Sequence, residues 1–207
     1  MRTLELFSGT QSFTKLVVGD VKVSVDILPK FNPTHVADIL TWDYTIYPPG
    51  HFDVIWCSPP CTEYSKAKTH GVRNLDLADS FVRRCFTILD YFQPRVWIIE
   101  NPATGLLPRR MESIRPGLVS YIADYCAYGK PYRKRTAFWS NIPLQLRTCG
   151  GVGVCASMDG RKHRGSCGNG TRYYNALGIS SVWEKDSIPE ELIHHMLESC
   201  RQHLPTE

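Results

Sequence analysis

Short apolar runs alternate with polar stretches along the chain, and the period of the apolar positions changes from run to run. Residues 4–7 form a brief apolar run ending at Ser8-Gly9-Thr10-Gln11-Ser12, which reads as a strand followed by a turn. A helix is predicted after it, over about residues 13–18. Residues 21–25 alternate and are rich in valine, the pattern of a strand, and end on Asp26. Residues 36–39 read as another short strand end. Residues 52–56 predict a buried strand, stopped by Pro59 and Pro60. Between residues 77 and 92, Phe81, Cys85, Ile88, Leu89 and Phe92 recur at helical spacing, and Pro94 stops the run. Residues 96–99 are wholly apolar and lead into Glu100. Further signals cover residues 118–125 and 136–139. Ser187-Ile188-Pro189-Glu190-Glu191 predicts a helix start, with Leu192, Ile193, Met196 and Leu197 as its apolar stripe.

Strands alternating with helices imply a mostly parallel sheet covered on both faces. In such sheets ligands sit beyond the carboxyl ends of the strands. Gly9, Asp26, Asp38, Cys61 and Glu100 all fall at or just after predicted strand ends, which puts five chemically distinctive residues on one sheet edge.

Composition narrows the setting. The 207 residues are 43% hydrophobic and 21% charged, enough apolar material for one domain with a small appendage. No apolar run is long enough to span a bilayer, and Glu5 interrupts the short apolar stretch at the N-terminus, so neither a membrane span nor a secretory leader is expected. An intracellular, monomeric protein is expected. The net charge of +4 is unevenly spread. From 130 to 172 the basic residues Lys130, Arg133, Lys134, Arg135, Arg147, Arg161, Lys162, Arg164 and Arg172 face a single acid, Asp159. Such a block suits a phosphate backbone. With nothing to indicate secretion, the eight cysteines read as thiols, a metal site or a nucleophile rather than as disulfides.

The candidate chemistry sits in two segments. In Cys57-Ser58-Pro59-Pro60-Cys61, two prolines fix the backbone before a cysteine and would hold its thiol rigidly at the sheet edge. Glu100-Asn101-Pro102 ends the next strong strand. A thiolate beside a carboxyl group suits nucleophilic addition to an electron-poor ring, with proton donation to a ring nitrogen. The Gly9 turn suits a nucleoside cofactor, Asp26 its ribose hydroxyls and Asp38 an exocyclic amine.

Four ordered segments, Phe7-Ser8-Gly9, Pro59-Pro60-Cys61, Glu100-Asn101-Pro102 and the run from Tyr128 through Lys130, Arg133, Lys134 and Arg135 to Thr136, resemble those of the C5-cytosine DNA methyltransferases. The resemblance covers about residues 3–142 and is nearest to compact, divergent members from phages and large viruses. It implies the class I methyltransferase (Rossmann-like) α/β fold, with a mostly parallel sheet and helices on both faces. It implies S-adenosylmethionine as cofactor, held by Phe7, Ser8, Gly9, Thr10, Gln11, Asp26, Ile27, Asp38, Ile39, Ser58 and Pro59. Cys61 would add to C6 of a flipped-out cytosine in double-stranded DNA, with Glu100, Asn101 and Lys134 completing the catalytic set. Residues 62–76 would form a mobile loop closing on DNA, and Ser65, Lys66, Lys68, Arg73, Arg133 and Arg135 would contact it. The sequence departs from the family where a glutamine and two spaced arginines are usual: Lys134 and Thr136 take the arginine positions, with Arg135 as a substitute if the strand is bulged. An RNA cytosine-C5 methyltransferase and a catalytically silent DNA-binding relative are the alternatives.

Residues 147–172 are rich in Gly, Cys and Arg and lack periodicity. The expected organisation is a catalytic domain over 1–145, a short recognition insertion over 146–183 contacting DNA through Arg161, Lys162 and Arg164, and a returning C-terminal helix over 184–207. Cys149, Cys155, His163 and Cys167 are a chemically reasonable tetrahedral zinc set, though their spacing is not that of a standard finger.

Overall fold

Strong apolar runs become the centre of one sheet. The computed structural model describes residues 1–19, 21–165 and 187–205. In chain order its main elements are β1 (Arg2–Leu6), β2 (Val21–Asp26), β3 (His35–Val36), β4 (Val54–Cys57), α1 (Leu75–Phe92), β5 (Val96–Pro102), α2 (Leu107–Ile114), β6 (Ser120–Asp124), β7 (Arg135–Ser140), β8 (Met158–Asp159), β9 (Lys162–His163) and α3 (Glu190–Arg201). Short 3-10 turns cover Pro29–Phe31, Tyr44–Ile46 and Tyr125–Tyr128.

The seven-stranded sheet has the order β3-β2-β1-β4-β5-β7-β6. Its first five strands are mutually parallel, while β7 runs antiparallel to both β5 and β6. All four residues of β4 are buried, as a strand covered on both faces requires. One apolar layer joins α1 and α2 to the sheet through Val82, Cys85, Leu89, Phe92, Leu107 and Met111. The opposite layer is built from Phe13, Val17, Tyr125, Tyr128 and the α3 stripe of Leu192, Ile193, Met196 and Leu197. The expected mostly parallel sheet with both faces covered is therefore the observed one.

α1 forms where the apolar spacing predicts it. Asn74 caps its start by accepting from the Leu77 N–H (3.0 Å). Gln93, in the left-handed region at φ 48°, closes its end through an N–H bond to the Leu89 carbonyl. The predicted helix over 13–18 is instead a series of turns, with only Lys15 N–H to Gln11 O and Leu16 N–H to Phe13 O bonded along it. Glu5 of β1 accepts from the N–H groups of Phe13 (3.3 Å) and Thr14 (2.8 Å), which the first turn of a helix would also leave free, and so anchors these turns to the sheet. The helix α2 has no counterpart in the sequence expectation. Its eight residues bury Leu107 and Met111 in the core and pack Ile114 against it, a stripe of only two turns. Among the described residues no helix is long and apolar enough to cross a membrane.

Candidate active site

A cleft of about 1170 Å³ opens over the carboxyl ends of β1, β2, β4 and β5. Gly9, Asp26, Asp38, Cys61 and Glu100 all line it, so the five strand-end residues share one cavity.

At one end the β1–β2 turn is held from both sides. The Ser8 N–H donates to the Val25 carbonyl (3.1 Å), and the Gly9 N–H donates to Asp26 Oδ2 (2.7 Å). Asp26 Oδ1 accepts from the Leu28 N–H (2.8 Å). Gly9 adopts φ +44°, and the place its Cβ would take is open space, so backbone rather than side chain faces the cleft there. Ser8 Oγ is buried without a hydrogen-bond partner among the described residues. Ile27 and Leu28 stay exposed at the rim. Asp38 caps its own turn through the Leu40 N–H (3.0 Å). A spare hydroxyl, a carboxylate with lone pairs to spare, an open glycine and apolar rim residues suit a nucleoside-bearing cofactor such as S-adenosylmethionine. Phe7, Ser8, Thr10, Ile27, Ile39, Ser58 and Pro59 line the same cleft. Gln11 does not: its amide turns away to donate to the carbonyls of Phe31 (2.6 Å) and Asn32 (3.0 Å), which satisfy it better than open cleft would.

At the other end lie Cys61 and Glu100. β4 and β5 pair directly, Cys57 opposite Ile99, so the segments leaving them emerge side by side. Three contacts fix the cysteine's approach. Trp56 Nε1 donates to Ser58 Oγ (2.8 Å), the Ser58 N–H donates to the Leu6 carbonyl (3.2 Å), and Asn101 Nδ2 donates to the Pro59 carbonyl (2.8 Å). Asn101 thus braces the Pro59-Pro60-Cys61 segment as well as lining the cleft. Beyond Cys61 the chain turns, with the Tyr64 N–H bonded to the Cys61 carbonyl (3.0 Å) and the Leu106 N–H to the Tyr64 carbonyl (2.9 Å). The Tyr64 hydroxyl donates to Asp79 Oδ1 (2.9 Å), and Arg110 pairs with the same carboxylate. Burial pushes the Asp79 carboxyl up, but the Arg110 and Tyr64 bonds outweigh it and hold it below the usual range.

Glu100 is 8% exposed and accepts from the Tyr125 hydroxyl (3.3 Å). Burial, reinforced by the Glu100 charge, holds the Tyr125 phenol well above its ordinary range, so it stays a donor. Tyr125 is absent from the expected site set, yet it follows β6 directly and obeys the same strand-end rule. Lys134 lies with its ammonium 5.3 Å from the Tyr125 ring centroid, on the Glu100 side of the cleft. Arg133 and Arg135 also line the cleft, and both reach the buried Asp124, at 2.9 and 3.5 Å.

The other expected nucleic-acid contacts divide. Ser65, Lys66 and Lys68 line the cleft. Lys68 also pairs with Glu63 (2.6 Å). Arg73 turns into the loop instead, donating to the carbonyls of Glu63 (2.6 Å) and Lys68 (2.8 Å), which a short loop leaves otherwise unsatisfied. Arg161, Lys162 and Arg164 are exposed beside the β8–β9 hairpin and do not line the cleft. Of the expected metal set, Cys149, Cys155 and His163 come together, joined by Cys126; Cys167 lies outside the described residues.

This strand order, with its one reversed strand and its cleft over the strand ends, defines a class I methyltransferase fold. No family model matches the chain. A frog virus 3 (isolate Goorha) protein named "Probable DNA (cytosine-5)-methyltransferase" is 36% identical over 177 residues, covering 77% of this chain and 79% of that protein. An E. coli prophage protein named "putative DNA modification methyltransferase" superposes with a TM-score of 0.50 at 17% identity, over 68% of this chain and 46% of its own. A mutant of Spodoptera frugiperda DNMT2 superposes with a TM-score of 0.51 at 14% identity, over 72% of this chain and 55% of its own. The chain therefore spans about half the length of these two solved structures, which share its fold. On the frog virus relative, the chain belongs to the DNA (cytosine-5)-methyltransferase family.

Proposed function

We propose that the protein methylates C5 of cytosine in double-stranded DNA, with S-adenosylmethionine as donor and Cys61 as a covalent nucleophile. The observation that carries this reading is one cleft holding Cys61, Glu100 and the Gly9–Asp26–Asp38 edge together. S-adenosylmethionine bound along that edge supplies the electrophilic methyl group that cytosine C5 takes up.

The residues divide the remaining work. The Cys61 thiolate adds to C6 of the ring, which raises electron density at C5. Glu100, oriented by Tyr125, hydrogen-bonds N3 and the exocyclic amine and stabilises the activated ring. Lys134 adds positive charge on the same side. Loss of the C5 proton then expels the Cys61 thiolate and restores the aromatic ring. A paired cytosine buries its C6 in the stack, so the target base must leave the duplex to reach Cys61. Ser65, Lys66, Lys68, Arg133 and Arg135 line the cleft where strand phosphates would run, and Arg161, Lys162 and Arg164 extend the basic surface.

The test is transfer of labelled methyl groups from S-adenosylmethionine to duplex DNA, run beside Cys61→Ser. Wild type transfers label and the variant does not. A covalent adduct forms on duplex DNA containing 5-fluorocytosine. Robust transfer by Cys61→Ser would overturn the nucleophile, and an adduct on RNA alone would move the substrate to RNA. Binding of duplex DNA without adduct or transfer would leave a silent DNA-binding protein.

A further inference from the structure

Outside the cleft, one group of side chains has the chemistry of a closed metal site. Cys126, Cys149, Cys155 and His163 bring one ligand atom each to within 4.8 Å of one another. His163 Nε2 lies 3.4 Å from Cys149 Sγ and 3.6 Å from Cys155 Sγ. A tetrahedral zinc ion with ordinary Zn–S and Zn–N bonds would separate a sulfur and a nitrogen ligand by about 3.6 Å. Three thiols and one imidazole, with no further position needed, form the Cys₃His set of structural zinc sites.

The chain makes this group with local devices. Cys126 stands in the 3-10 turn Tyr125–Tyr128 and is 6% exposed. Cys149 and Cys155 flank a glycine turn in which Gly151, at φ +79°, donates its N–H to Cys149 Sγ (3.4 Å) and accepts from the Cys155 N–H (2.9 Å). An N–H aimed at sulfur stabilises a metal-bound thiolate. His163 is delivered by the β8–β9 hairpin, opposite Met158. Asp124 fastens the cluster by accepting from the Cys149 N–H (2.9 Å) beside Arg133 (2.9 Å). Among the described residues, segment 147–165 has as regular structure only a hairpin of two two-residue strands, and few core side chains to order it.

We propose that Cys126, Cys149, Cys155 and His163 bind one structural zinc ion, which fixes the basic segment 147–165 to the wall of the cleft. Binding replaces the thiol protons with the metal and releases them to solvent. Cys126 directly follows Tyr125, which bonds Glu100, so the ion would anchor the hairpin carrying Arg161, Lys162 and Arg164 next to the catalytic carboxylate's partner. This inference stands apart from the methyl-transfer reading, because zinc content is measured without any substrate.

The experiment is elemental analysis of the full chain, purified under reducing conditions without added metal, followed by Co²⁺ exchange. The expected result is about one zinc per chain, and Co²⁺ absorption with thiolate charge-transfer and tetrahedral ligand-field bands. Cys126→Ser and Cys155→Ser lose the metal, whereas Cys167→Ser and Cys61→Ser keep it. Less than about a tenth of an equivalent, with no tetrahedral Co²⁺ spectrum on reconstitution of the reduced chain, overturns the proposal. Retention of full zinc by Cys126→Ser together with its loss in Cys167→Ser would overturn this ligand set. The wild-type measurements decide the matter even if a cysteine variant fails to fold.

Discussion

At the scale of single residues, Cys61 depends on neighbours that do no chemistry. A thiol is useful only where its approach to the ring is fixed, and Asn101 supplies part of that constraint through the Pro59 carbonyl. Asn101 is 1% exposed, and its Oδ1 has no partner among the described residues, so no other hydrogen bond of its own competes with this brace. Asn101→Asp keeps the size but replaces the donor with a carboxylate, which would face the Pro59 carbonyl with no proton to offer. We expect kcat to fall by about 10²-fold while the KM for S-adenosylmethionine changes little, because the edge near Gly9 is untouched. An unchanged kcat in steady-state methyl transfer would show that the proline segment is held without Asn101. Removal of the nucleophile is more severe: Cys61→Ser lowers kcat by at least about 10³-fold, measured by the same assay. Glu100→Gln keeps a neutral hydrogen-bonding group but cannot present the same acid, and loses about 10²-fold or more.

At the scale of elements, the loop after Cys61 is tied to two helices through one carboxylate. Asp79 of α1 accepts from Tyr64 in the loop and from Arg110 of α2, and its side chain is 9% exposed. Tyr64→Phe removes one donor and leaves the Asp79–Arg110 pair, so it costs about 1 kcal/mol in urea unfolding. Asp79→Ala strands both a buried hydroxyl and a half-buried guanidinium, and costs about 3 kcal/mol. Equal losses for the two variants would show that Arg110 contributes nothing. The elements that such contacts join were unequally visible beforehand. β4, β5, α1 and α3 announce themselves, because continuous or periodic apolar residues must be buried on a sheet or along a stripe. The cleft followed from them, since each strand end carries a distinctive residue. What stayed hidden depends on tertiary partners. Glu5 holds the Phe13 and Thr14 N–H groups from a neighbouring strand, and Gln11 finds carbonyls across a turn. Tyr125 reaches Glu100 across β7, because β6 runs parallel to β5 and ends at the same sheet edge. Cys126 joins Cys149, Cys155 and His163 from far along the chain, which no local spacing can reveal.

At the scale of the whole molecule, ionisation sets two opposing limits on stability. Asp79 and Asp124 are both partly desolvated, yet hydrogen bonds and charges from Arg110, Tyr64, Arg133 and the Cys149 N–H hold their carboxyls below the ordinary range. A depressed folded pKa gives stability that is present above the unfolded value near 3.8 and lost as pH falls through the folded one. Glu5 runs the other way. Its burial in the sheet pushes the carboxyl from 4.5 up to about 7, with the Thr14 and Phe13 N–H groups and Lys15 only partly offsetting this. A raised folded pKa gives stability that is fully present below about 4.5 and lost as pH rises through about 7. The loss is on the order of 3 kcal/mol at most, since each pKa unit corresponds to about 1.4 kcal/mol. The molecule should thus be most stable at mildly acidic pH, and less so at pH 8, where Glu5 must be charged inside the fold. Glu5→Gln cannot ionise, so urea midpoints measured from about pH 4 to about pH 9 should keep their acid limb and lose the decline through neutrality. A decline through pH 7 of the same size in Glu5→Gln would place its origin in some other group and remove Glu5 as the neutral-side limit on this fold.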